Sequence, residues 1–80
     1  MIMHPTPAET ARSIGSRVRV ARARAGLRQD ELALAAGVST RLVHTIEAGK
    51  ATTRLDGLLR VLGALGLALD VVDRTPSGRG

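Results

Sequence analysis

The chain has 80 residues, a formal net charge of +5 and a sequence pI near 11.6, with no cysteine and no Phe, Tyr or Trp. So short a chain reads as one small domain that buries only about 60% of the surface its unfolded form exposes, which argues against a deep enzymatic pocket and for a partner subunit. Disulfide frameworks, thiolate zinc sites and cysteine nucleophiles are excluded, as are aromatic base-stacking platforms, and no 18-residue apolar run spans a membrane. If the positive charge meets nucleic acid, phosphates and groove edges are the contacts that remain; the bland reading is codon bias towards Arg and Ala.

Residues 1–7, MIMHPTP, carry two prolines and neither a charged leader nor a long apolar stretch, and read as a flexible N-terminus. The structured domain is expected over 8–74. From Ala8 to Ala25 only Gly15 interrupts a helix, with Ile14, Val18, Ala21 and Ala25 on one face and Gly26 as the stop. Arg12, Arg17, Arg19, Arg22, Arg24 and Arg28 lie in a segment with no acidic residue between Thr10 and Gln29. A solvated face is the ordinary reading of such a run; uncompensated repulsion points to a polyanion or a carboxylate partner.

Gln29 to Ala36 is a second helix, with Asp30 and Glu31 in the first turn where the dipole welcomes them, and Gly37 as its stop. Ser39 is a natural N-cap for a third helix, Thr40 to Ala48, closed by Gly49. Two short helices joined by a tight glycine turn make a helix-turn-helix. Its apolar positions are Leu32, Ala33, Ala36, Val38, Val43 and Ile46, and the small Ala33 permits a close crossing. Thr40, Arg41, His44 and Thr45 share the opposite face.

A fourth helix is expected from about Arg54 to Leu65, with a stripe of Leu55, Leu58, Leu59, Leu62 and Leu65 and a stop at Gly66. Beyond it Leu67, Leu69 and Val71 alternate at the period of a strand over 67–73. A lone strand in a helical chain needs a partner for its backbone groups, and the simplest is the same strand of a second subunit across a two-fold axis. A disordered amphipathic tail is the alternative. Residues 75–80, TPSGRG, read as a flexible tail.

The segments Gly26-Leu27-Arg28-Gln29-Asp30-Glu31-Leu32-Ala33, Ala36-Gly37-Val38-Ser39 and Ile46-Glu47-Ala48-Gly49-Lys50 together resemble the signature of the XRE family, the Cro and phage-repressor type of helix-turn-helix. The stretch from Leu58 to Leu69 is similar to the C-terminal part of HipB-type antitoxins. The resemblance implies an all-α, lambda-repressor-like domain of four to five helices with a C-terminal β-strand paired across a homodimer. It also implies a cytoplasmic, nucleoid-associated prokaryotic protein that represses its own operon and binds a HipA-like kinase toxin. Its DNA would be a palindromic, double-stranded operator entered through the major groove.

Carried onto this sequence, the resemblance assigns base reading to Thr40, Arg41 and Thr45, with His44 beside them. Arg41 is the best single reader, because one guanidinium can bond both O6 and N7 of guanine, worth about 1–3 kcal/mol of discrimination. Gln29 is assigned to phosphate at a helix N-terminus. Ser39, Lys50 and Arg54 join it, although a solvated loop charge is the plain reading of Lys50. Arg28 stands where family members place a capping Thr or Ser; arginine cannot cap, so this helix start should be weaker, with a phosphate contact for Arg28 in exchange. Arg22 and Glu47 are expected to form a structural ion pair, and Leu67, Leu69 and Val71 the dimer contact. Leu42 either packs on the fourth helix or touches thymine methyls.

No catalytic residue, metal site or cofactor is expected. His4 and His44 are forty residues apart, without a carboxylate pair or a His-x-x-x-His spacing, and no glycine-rich phosphate loop follows a strand. Two other functions fit the same residues less fully: a stand-alone or phage-type regulator without a toxin, and a protein-interaction module with little DNA binding.

Overall fold

The computed structural model describes residues 4–73. Four helices follow one another: α1 (Pro7–Arg24), α2 (Gln29–Ala36), α3 (Thr40–Glu47) and α4 (Leu55–Ala64). Helix α3 packs against all three others, and α2 also lies on α4. Met1 to Met3 and the tail 75–80 lie outside the described residues.

Helix α1 begins earlier than its apolar face suggests. Thr6 Oγ1 accepts from the Glu9 backbone N–H at 3.1 Å, and the Thr6 N–H donates to Glu9 Oε1 at 2.7 Å, a reciprocal capping box with Pro7 in the first turn. Thr6 and Pro7 thus belong to the helix start rather than to a loose lead-in. The backbone hydrogen bond from Thr6 holds the Glu9 carboxyl below its ordinary pKa.

The turn between α2 and α3 is only Gly37, Val38 and Ser39. Gly37 adopts φ +70°, which lets its own N–H and that of Val38 close α2 on the carbonyls of Leu34 and Ala33. Ser39 Oγ then accepts from the Leu42 N–H at 3.1 Å and opens α3. One glycine and one serine therefore reverse the chain within three residues.

The core comprises Val18, Leu32, Ala33, Val43, Ile46, Leu58, Val61 and Leu62, all buried. Ile14, Leu27, Ala36, Val38, Leu42, Leu65 and Leu67 pack around it. On α4 the buried stripe is Leu58, Val61, Leu62 and Leu65; Leu55 and Leu59, expected inside, are 61% and 47% exposed. The other helices cover α4 on one side only, so a leucine a quarter-turn away faces out. Leu42 packs on α4, where its Cδ2 fills the space left by the missing side chain of Gly57.

The C-terminal segment requires a correction. Within this chain 67–73 forms no strand, because none of the described residues offers it a ladder partner. Period-two alternation fixes where side chains point, whereas a ladder needs a second backbone. The Leu67 N–H closes α4 on Leu62 O at 2.8 Å and its side chain joins the core, while Leu69, Val71 and Val72 are exposed.

Gly15 is the tightest helix crossing. It lies mid-α1 and buried, and any Cβ there would sit on the carbonyl oxygen of Ile46 and 3.1 Å from that of Glu47. Alanine is favoured over glycine by about 1 kcal/mol in a helix interior. Gly15→Ala is nevertheless expected to destabilise the fold by about 1–3 kcal/mol, because α1 must move off the end of α3. Urea unfolding checks this, and an unchanged or raised midpoint would show that the crossing relaxes freely.

Candidate nucleic-acid interface

Val43, Ile46 and Glu47 turn α3 inward, which leaves Thr40, Arg41 and His44 exposed and Thr45 half-buried on the outward side. Arg41 has no carboxylate within ion-pair distance among the described residues. The Thr45 hydroxyl donates to Arg41 O at 2.9 Å, so its proton is committed and only its lone pairs face outward. Thr40 and His44 have no such side-chain bond among the described residues.

The five residues around this face differ in how much of their bonding capacity is occupied. Ser39 uses its oxygen as an acceptor in the cap and retains a hydroxyl proton, the polarity a phosphate requires. Lys50 is exposed on the loop after α3, again without a carboxylate partner among the described residues. Arg54 instead reaches Asp56 at 2.9 Å, and Arg28 reaches Asp30 at 3.1 Å and Glu31 at 3.6 Å. The bond from Arg28 lowers the Asp30 pKa, and the Gly57 N–H, with help from Arg54, lowers that of Asp56. Both pairs are largely exposed, so a phosphate can exchange for the carboxylate.

Arg28 offers α2 no side-chain cap, as an acceptor-less guanidinium must. Its backbone N–H instead donates to Glu31 Oε1 at 2.8 Å, so half of a capping box remains. Gln29, at the first position of α2, is half-buried and donates from Nε2 to Glu47 Oε1 at 3.2 Å. That leaves one amide proton for a phosphate.

Arg22 and Glu47 meet as a two-pronged pair, with Nε to Oε2 at 2.6 Å and Nη2 to Oε1 at 2.9 Å. The third nitrogen, Nη1, donates to Leu27 O at 2.9 Å. The side chains are 17% and 5% exposed, so the bridge is desolvated and its donors are turned away from any ligand. Burial pushes the Glu47 carboxyl up, but the hydrogen bonds from Arg22 and Gln29 and the charges of Arg22 and Arg19 outweigh it, and its pKa falls. The hydrogen bond to Glu47 raises that of Arg22.

Two contacts behind the interface escape the motif. Arg12 crosses Gly49, whose φ of +77° and lack of a side chain both serve the loop that carries Lys50; a Cβ there would lie 2.7 Å from Arg12 Cγ. Gly57 receives Leu42, which settles that side chain as packing. Glycines flag such approaches in a sequence, but not which neighbour comes close. His4 lies exposed far along the chain from His44, and no group of three or more His, Cys, Asp or Glu is gathered among the described residues.

A family profile described as a helix-turn-helix domain matches residues 13–74, well over half of the chain. The chain is 44% identical over 64 residues to the uncharacterized HTH-type transcriptional regulator y4mF of Sinorhizobium fredii. That alignment covers 80% of this chain and 84% of the relative. No helix of the described residues is long and apolar enough to cross a membrane.

Removing Glu47 strands a buried guanidinium, so Glu47→Ala is expected to cost about 3–5 kcal/mol of folding stability. The pH dependence has a fixed sign. A carboxyl whose pKa is depressed below 4.5 in the folded state stabilises at pH values above 4.5, and that contribution fades as the pH falls through the lower folded value. The stability gap between the native chain and Glu47→Gln, read from urea unfolding, should therefore narrow below about pH 4.5. A constant gap down to pH 2.5 would mean that the carboxylate charge contributes nothing.

Proposed function

The chain belongs to the helix-turn-helix domain family, and we propose that it is a homodimeric, sequence-specific repressor of transcription, the antitoxin of a HipBA-like pair. One observation carries the DNA-binding part: the outward face of α3 presents Arg41 with no carboxylate partner among the described residues, on a helix whose other face is locked into the core. Arg41, with Thr40, His44 and Thr45, reads base edges in the major groove. Thr45 does so as an acceptor, its proton being engaged by Arg41 O.

The backbone of the DNA is held around that helix. Ser39 and Gln29 donate their remaining protons, Lys50 supplies an unpaired charge, and Arg28 and Arg54 exchange exposed carboxylates for phosphates. Two subunits present two such helices to half-sites about 34–36 Å apart. The dimer forms through 67–73, whose Leu67, Leu69 and Val71 alternate and whose backbone finds in a second copy the ladder missing from its own chain. The antitoxin role rests on the likeness of Leu58–Leu69 to HipB-type proteins, and its partner is a kinase toxin encoded beside it.

Fluorescence anisotropy with the DNA upstream of the gene tests the reading. Tight binding to that DNA and weak binding to a scrambled duplex are expected, with a steep loss of affinity as salt rises. Arg41→Ala should lose about 1–3 kcal/mol and relax the preference at one base position, while Lys50→Ala weakens all sequences alike and lowers the salt slope by about one. Equal affinity for native and scrambled DNA would sink the sequence-specific function. Failure of the neighbouring gene's product to co-purify would remove the antitoxin role and leave a stand-alone regulator.

A further inference from the structure

The groove between α1 and the end of α4 has a floor of Val20, Ala21, Leu65 and Leu67 and a rim of Arg17 and Arg24. Neither arginine has a carboxylate within 4.0 Å among the described residues. Four residues beyond Leu67 the chain carries the complement of this groove. Val71 and Val72 are 94% and 75% exposed, and Asp70 and Asp73 flank them. The molecule thus exposes an apolar slot edged with positive charge and an apolar pair edged with negative charge.

The segment cannot readily fill the groove of its own chain. Leu67 already lines it, and an extended chain places Val71 roughly 13 Å farther on, at about 3.3 Å per residue. Between Leu67 and Asp73 there is no Gly or Pro to turn it back, and the chain makes no turn at Asp70. The occupant that matches in charge and shape is the same segment of a second copy.

We infer that two copies pair antiparallel about a two-fold axis through Leu69, each seating Val71 in the other's groove and Asp73 against the partner's Arg17 and Arg24. The inference rests on the paired-segment dimer proposed above and adds its register. Centred on Leu69, Leu67 lies opposite Val71 and Asp70 opposite Ala68, and Asp73 runs past the partner's Leu67 towards the arginine rim. Because residues 67, 69, 71 and 73 share one face, Val71 and Asp73 enter the groove together. The register centred one residue later sets Asp70 opposite Asp70 and Asp73 opposite Leu67, so two carboxylates repel and a third meets the apolar floor.

The chain has no cysteine, so single-cysteine variants report the register directly. Directly opposed antiparallel residues have Cα atoms about 4.5–5.5 Å apart, within the span of a disulfide. Leu69→Cys is expected to oxidise to a covalent dimer and Val71→Cys alone to remain uncoupled, whereas an equal mixture of Leu67→Cys and Val71→Cys should give the mixed dimer. In sedimentation equilibrium, Asp73→Arg should weaken dimerisation at least tenfold, and combining it with Arg17→Glu and Arg24→Glu should restore most of the loss.

A native chain that stays monomeric at every concentration would overturn both the dimer and its register. A native dimer in which Val71→Cys couples to itself, or Leu69→Cys does not, would overturn the register alone. Failure of the charge-swapped variant to recover would overturn the arginine clamp.

Discussion

The relative placement of α1, α2 and α3 depends on the fork of Arg22 around Glu47. From one guanidinium, three bonds run to the last residue of α3 and to the carbonyl of Leu27 in the turn before α2. Gln29, at the start of α2, closes the set by donating to the same carboxylate. Three helices and a turn are thus referred to one buried charge pair, in a core whose largest fully buried side chains are only Leu32, Val18, Val43 and Val61. A core without aromatic rings has little dispersion to spare, and a directional, desolvated bridge fixes an orientation that small aliphatic side chains leave loose. Gly15 completes the joint, since the end of α3 can approach the bridge only where α1 has no side chain.

Charge on this molecule sorts by depth and by partner. Arg22 is largely buried and satisfied, Arg28 and Arg54 are exposed with a carboxylate at hand, and Arg41, Lys50, Arg17 and Arg24 have none among the described residues. Net charge cannot separate these populations, yet of the three only the last attracts an anion without first desolvating or displacing something. They also point different ways: Arg41 and Lys50 flank α3, whereas Arg17 and Arg24 rim the groove beside α4.

Legibility of the sequence followed the locality of the physics. The bounds of α2 and the start of α3 were readable because Gly37 and Ser39 act on residues within three or four positions of themselves. The outward face of α3 was readable for the same reason, since Val43 and Ile46 fix its inward side. Thr6 and Pro7 carry an equally local signal, Thr-x-x-Glu with a proline after the cap, although the flanking Pro5 and Pro7 are equally compatible with a loop. The exposure of Leu55 and Leu59 had no local signature, because it depends on how far α2 and α3 reach around α4. The strand expected over 67–73 does not form, because alternation sets where side chains point, while a ladder needs a second backbone that none of the described residues supplies. The occupied hydrogen of Thr45 and the packing of Leu42 on Gly57 are likewise products of tertiary placement.

Helix α3 is gripped at both ends, by Leu42 against Gly57 near its start and by Glu47 at its finish. On its outward side Thr40, Arg41 and His44 use their side chains for no internal bond among the described residues. Replacing them therefore changes the outward surface of the helix while leaving its anchorage intact. Such a division lets binding preference drift through single substitutions without crossing a folding threshold, a latitude that Thr45, tied to the Arg41 carbonyl, shares only in part.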